Sequence, residues 1–149
     1  MFKEEILQIS LHRIKETIER IINNSACIES YNYYYMSPGG MERLESTCML
    51  LIAIGESIKG IDKLTDKKLL CRYPDVDWKG AMGIRDIIAH HYFDLDAEIV
   101  FNVVKTKLPD MLDTIIKVMT DLNKGSTANP ISSLPQGLND GDEDQCRRD

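Results

Sequence analysis

The chain has 149 residues, of which 43% are hydrophobic and 28% charged, and it carries a net charge of -6 at pH 7. That length supports one domain with a single core. The acidic balance excludes a surface broadly complementary to nucleic acid, so any RNA chemistry has to be local. Four cysteines (Cys27, Cys48, Cys71 and Cys146) include no Cys-x-x-Cys pair, which argues against structural zinc and against a redox dithiol.

The amino end, MFKEEILQISLHRIK, scatters charges through its apolar residues, unlike a signal peptide or a membrane span. A cytoplasmic protein with no membrane segment is expected. Leu7, Leu11, Ile14, Ile18, Ile21 and Ile22 recur every three or four residues, predicting an amphipathic helix from Phe2 to about Asn24. SYNYYYMSPGG interrupts it, with Ser-Pro-Gly-Gly at positions 37–40 as a turn signal. Leu44, Leu51, Ile54, Ile58 and Ile61 predict a second long helix, about Met41 to Gly60, with Gly60 as its C-cap.

LTDKKLLCRYP is expected to form a short helix ending before Pro74. Asp77 is a good N-cap for a helix starting at Trp78 and ending close to Tyr92. Asp96 can cap a last helix, in which Pro109 forces a kink or a fresh first turn. No segment shows sustained period-two alternation. The expected fold is all-α, an antiparallel bundle of four or five helices over residues 1–123. From Lys124 onward, Ser, Pro, Gly, Asn and Asp dominate, and residues 124–149 are expected to be a disordered tail.

The chemistry concentrates in IRDIIAHHYFDLD, residues 84–96. Asp86 and His90 are four apart and neighbour each other on a helix, so the carboxylate can orient the imidazole. Arg85 and His90 are five apart, about 140° around the axis, and cannot converge in a regular helix. Either the helix ends near His90, or a two-fold axis brings Arg85 of one copy towards His90 of another; both can hold together. Adjacent His90 and His91 point about 100° apart, and no nearby ligand set makes them a metal site.

Arg85, four residues, His90, one residue and Tyr92 match the R-x4-H-x-Y signature of the HEPN superfamily. The flanks resemble its HepT-like toxins: Ile54-Gly55-Glu56 in LIAIGESIKGI, then YPDVDWKGAMGIRDIIAHHYFDLD, then IVFNVVKTKLPDML. The likeness covers about Leu7 to Leu122. Departures are Asp86 where many members have Asn, Gly83 inserted in a Met-Arg step, and Phe101 where Trp is common.

The resemblance implies an endoribonuclease toxin that needs no metal or cofactor and works as a homodimer with its cleft at the interface. Arg85 and His90 would be catalytic, supported by Asp86, His91 and Glu56. RNA brings its own nucleophile, the 2′-hydroxyl, so a base, an acid and a cation suffice. Tyr92 would be the hydroxyl on which a cognate MNT-type nucleotidyltransferase antitoxin places AMP, silencing the toxin. The alternative is a non-catalytic HEPN module that docks such a nucleotidyltransferase.

Outside that stretch, Tyr31, Tyr33, Tyr34 and Tyr35 can stack RNA bases, cover the core rim or make a dimer contact. Glu56 can contact Arg85 across the bundle or face solvent. Lys59, Lys63, Lys67, Lys68 and Arg72 form a basic cluster, either simply solvated or in contact with RNA or the antitoxin.

Overall fold

A computed structural model describes residues 2–90 and 96–127. All regular structure among them is helical, in an all-α bundle. Helix α1, Phe2–Asn24, buries Leu7, Leu11, Ile14, Ile18 and Ile21, the predicted stripe. A 3-10 turn, Tyr31–Tyr35, follows and drops Tyr34 into the core at 0% exposure. Its ring meets Tyr33 edge-on, with centroids 5.9 Å apart. The Tyr35 hydroxyl accepts the Ala97 amide at 3.2 Å. Within this run Tyr34 is core, while Tyr35 ties the turn to the start of the helix at Ala97.

Helix α2, Pro38–Leu64, overruns its predicted bounds at both ends. Ser37 is the N-cap, accepting the Gly40 amide at 3.0 Å, and Pro38 opens the first turn. The Ser-Pro-Gly-Gly signal is thus a helix start, with proline where its missing N–H costs nothing. Gly60 lies inside the helix instead of capping it. An interior glycine costs only about 1 kcal/mol, roughly half of what burying one isoleucine returns, and Ile61 beyond it is 1% exposed.

The expected short helix after α2 is also replaced. Asp66 and Lys67 take left-handed φ values of 52° and 61°, which break the helical run, and only a 3-10 turn, Leu70–Arg72, forms.

Helix α3, Trp78–His90, starts as predicted: Asp77 Oδ1 accepts the Gly80 amide at 2.9 Å. The Trp78 indole donates to the Tyr73 carbonyl at 2.8 Å and pins that end. Asp96 caps α4, Ala97–Asn102, through the Glu98 amide at 2.9 Å. A π-helical turn, Val103–Lys107, then leads into α5, Leu108–Thr127. The wide turn falls immediately before Pro109, whose ring would clash with the carbonyl four residues back in a tight α-helix. Helix α5 carries Lys124 to Thr127, the first residues of the expected tail; the remainder, 128–149, lies outside the described residues.

Helix α1 packs against both α2 and α5, and α3 packs on α2. Arg43, near the start of α2, donates to the Asn24 carbonyl at the end of α1, so these helices run antiparallel. Lys105 donates to the Ser25 carbonyl at 2.7 Å, and Tyr73 donates to Asp121 at 2.7 Å. The first bond puts the entry to α5 beside the end of α1, so the two helices run antiparallel, and the second ties the far end of α5 to the segment after α2. Among the described residues no helix is long and apolar enough to cross a membrane.

Candidate functional site

Helices α2 and α3 approach closely at Gly55. A Cβ added there would lie 2.6 Å from the Ala81 carbonyl oxygen and 3.1 Å from Ile84 Cγ2. The glycine therefore sets the helix spacing. That role escaped the sequence analysis, although a lone glycine inside an apolar helical run was its visible signal.

One residue beyond Gly55 on α2, and one turn beyond Ala81 on α3, the polar chemistry begins. Arg85 Nη1 lies 3.5 Å from Glu56 Oε1, and the Arg85 side chain is 59% exposed. Glu56 Oε1 also receives Lys59 Nζ at 3.4 Å. Of the two roles open to Glu56, contact with Arg85 is the one observed. An exposed ion pair of this kind stabilises the fold by well under about 1 kcal/mol. Its effect is positional, since the carboxylate biases where the guanidinium rests while leaving its donors open to solvent.

His90 closes the described part of α3 and is exposed. Its Nδ1 lies 2.7 Å from the backbone carbonyl of Asp86. The expected orienting group was the Asp86 carboxylate; the carbonyl one helical turn back does the work instead. A carbonyl only accepts, so Nδ1 must be the donor and carry hydrogen. In the neutral ring, Nε2 then holds a free lone pair. The Asp86 side chain stays exposed on the same turn.

Helix α3 keeps regular turns through His90, so within one protomer Arg85 and His90 point about 140° apart. A single copy does not bring them together. His91 and Tyr92, the expected supporting and AMP-accepting residues, lie outside the described residues. Among the described residues, no group of three or more His, Cys, Asp or Glu is arranged to hold a metal ion.

Two large apolar side chains are open to solvent on these helices: Ile87, 46% exposed on α3 and about 60° around the axis from His90, and Met49, 66% exposed on α2 seven residues before Glu56.

Comparison with known proteins points one way. A family model described as "Ribonuclease HepT-like" matches residues 14–118. The chain is 33% identical over 81 residues to "Putative RNase MJ0127" of Methanocaldococcus jannaschii, covering 54% of this chain and 63% of that protein. It is 27% identical over 121 residues to "Gamma-glutamylcyclotransferase and putative RNase MJ0434" of the same organism, covering 79% and 50% respectively. "Putative RNase MJ0125" is 32% identical over 74 residues, with 50% and 60% covered. The chain thus spans between half and just under two thirds of the length of these relatives. No solved structure matches it.

Proposed function

This chain belongs to the HepT-like ribonuclease family, and from that premise we propose that it is a metal-independent endoribonuclease acting as a homodimer. The observation that carries the proposal is the bond from His90 Nδ1 to the Asp86 carbonyl. It leaves Nε2 as an exposed proton acceptor on a ring whose orientation is already fixed.

In the proposed reaction, His90 Nε2 takes the proton of the RNA 2′-hydroxyl. The 2′-oxygen attacks phosphorus as the bond to the 5′-oxygen breaks, and His90 of the partner subunit, in its imidazolium form with hydrogen on both ring nitrogens, gives its Nε2 proton to that leaving oxygen. The products are a 2′,3′-cyclic phosphate and a 5′-hydroxyl. Arg85 supplies paired N–H donors to the phosphate oxygens as their charge grows, with Glu56 positioning it. The 140° separation of Arg85 and His90 within a protomer is what makes a second copy chemically useful. Apolar Ile87 and Met49 offer the contact surface for that copy.

We further assign the chain to the toxin side of a toxin–antitoxin pair. An MNT-type nucleotidyltransferase would transfer AMP from ATP to the Tyr92 hydroxyl, seven residues along the chain from Arg85, with pyrophosphate leaving, and the added phosphate would compete for the guanidinium. Purified protein incubated with RNA in EDTA should give cyclic-phosphate ends, and His90→Ala should slow cutting by about 10²–10⁴-fold. Equal cutting by wild type and variant would refute the mechanism.

A further inference from the structure

The acidic chain must still gather a polyanion, and one ridge is suited to it. Between Glu56 and Arg72 the sequence carries five cations against three carboxylates, within a chain of net charge -6. On α2, Glu56, Lys59 and Lys63 fall within about 60° of one another and span about 10 Å along the axis, with Asp62 at one edge, about 60° from Lys59 and about 100° from Lys63. The ridge starts at Arg85, through the shared carboxylate of Glu56. Its helical part ends where α2 does.

There the chain turns through left-handed Asp66 and Lys67. The Lys67 amide is tied to the Asp62 carbonyl at 2.8 Å, and Lys63, Lys67 and Lys68 are all exposed. Two consecutive non-glycine residues in this conformation cost roughly 1–2 kcal/mol each. The consequence is a turn held in one shape, which carries exposed Lys67 and Lys68 a few residues past Lys63, just beyond the helix end.

We propose that this ridge, from Arg85 through Lys59 and Lys63 to Lys67 and Lys68, is a phosphate track that holds the single-stranded RNA flanking the scissile bond. The proposal rests on the ribonuclease function above. Glu56 is the resting counter-ion at the head of the track: with no RNA present it is shared by Arg85 and Lys59, leaving one net positive charge, and incoming phosphates compete for both. The track reads no base, so it contributes affinity and salt dependence but no sequence preference.

The test is binding of the full-length protein to a 2′-O-methyl oligonucleotide, which has no attacking hydroxyl, measured by fluorescence anisotropy across a salt series. For single strands the log–log slope changes by about 0.7 for each phosphate contact. Lys63→Gln/Lys67→Gln/Lys68→Gln should therefore flatten the slope by about 2 and weaken binding at low salt at least tenfold. Lys63→Gln alone, which keeps the turn intact, should flatten it by about 0.7, and Arg13→Gln/Arg20→Gln on α1 should leave it unchanged.

A wild-type slope in the triple variant overturns the proposal. So does a triple variant that binds RNA normally but no longer co-purifies with a nucleotidyltransferase partner, because the ridge would then be a protein-docking surface. A wild-type protein that binds the oligonucleotide with the expected slope yet leaves cleavable RNA intact would remove the nuclease function while keeping the track.

Discussion

Replacing Gly55 by alanine tests whether the close approach of α2 and α3 holds the site together. The new Cβ would meet the Ala81 carbonyl oxygen at 2.6 Å, whereas the closest comfortable C···O contact is about 3.3 Å. The obstacle is backbone, so α3 must retreat by roughly 0.7 Å. Overpacking of this kind costs about 1–3 kcal/mol, and alanine returns about 1 kcal/mol of helix propensity. Gly55→Ala should therefore lose roughly 0–2 kcal/mol.

Gly60→Ala is the internal control, five residues along the same helix with nothing within 4 Å of its new Cβ. It should gain up to about 1 kcal/mol. Urea denaturation of both variants isolates the packing term, because the propensity gain is common to them. A midpoint for Gly55→Ala at or above that of Gly60→Ala would refute the reasoning. Ala81 and Arg85 are one helical turn apart, so the same retreat should carry the guanidinium away from its Glu56 partner. Misplacing a catalytic group by ~1 Å can cost ~10²-fold, so Gly55→Ala should cut RNA at least tenfold more slowly even where it remains folded.

Two further outcomes follow from the start of α3 and the segment before it. Asp77→Ala removes the acceptor for the Gly80 amide and should lower stability by about 1 kcal/mol in the same denaturation assay; an unchanged midpoint would mean that Trp78 alone fixes this terminus. The half-buried Tyr73 has its pKa pushed up to about 12, first by burial and then by its hydrogen bond to Asp121. The folded protein thus keeps a proton that the unfolded chain releases above about pH 10. This stabilising contribution is complete below pH 10 and is lost as pH rises towards 12, so wild type should weaken over that window more steeply than Tyr73→Phe in urea melts.

The stripes of α1 and α2, the Asp77 and Asp96 caps and the all-helical architecture were legible because periodicity and capping are local signals. What escaped was decided by competition between distant parts. Gly60 looks like a stop signal until the burial of Ile61 outweighs it. LTDKKLL has the composition of a helix, and nothing in it announces that Asp66 and Lys67 turn left-handed. Asp86 and His90 were correctly placed as neighbours, but side-chain spacing cannot tell a carboxylate from the backbone carbonyl of the same residue. Contact between Arg85 and Glu56 was only one of two options in the sequence, since 29 positions separate them and the close helix approach at Gly55 is what brings them within reach.

The last turn of α1 contains no basic residue, and its terminal carbonyls are served from elsewhere. Arg43 donates to Asn24 and Lys105 to Ser25, from 19 and 80 positions downstream. The negative pole of this helix is thus neutralised only after two later parts of the chain have arrived. A peptide containing residues 2–25 alone would fray at its carboxyl end. During synthesis, that end would stay loose until the ribosome had delivered Lys105, making the first helix among the last to be finished.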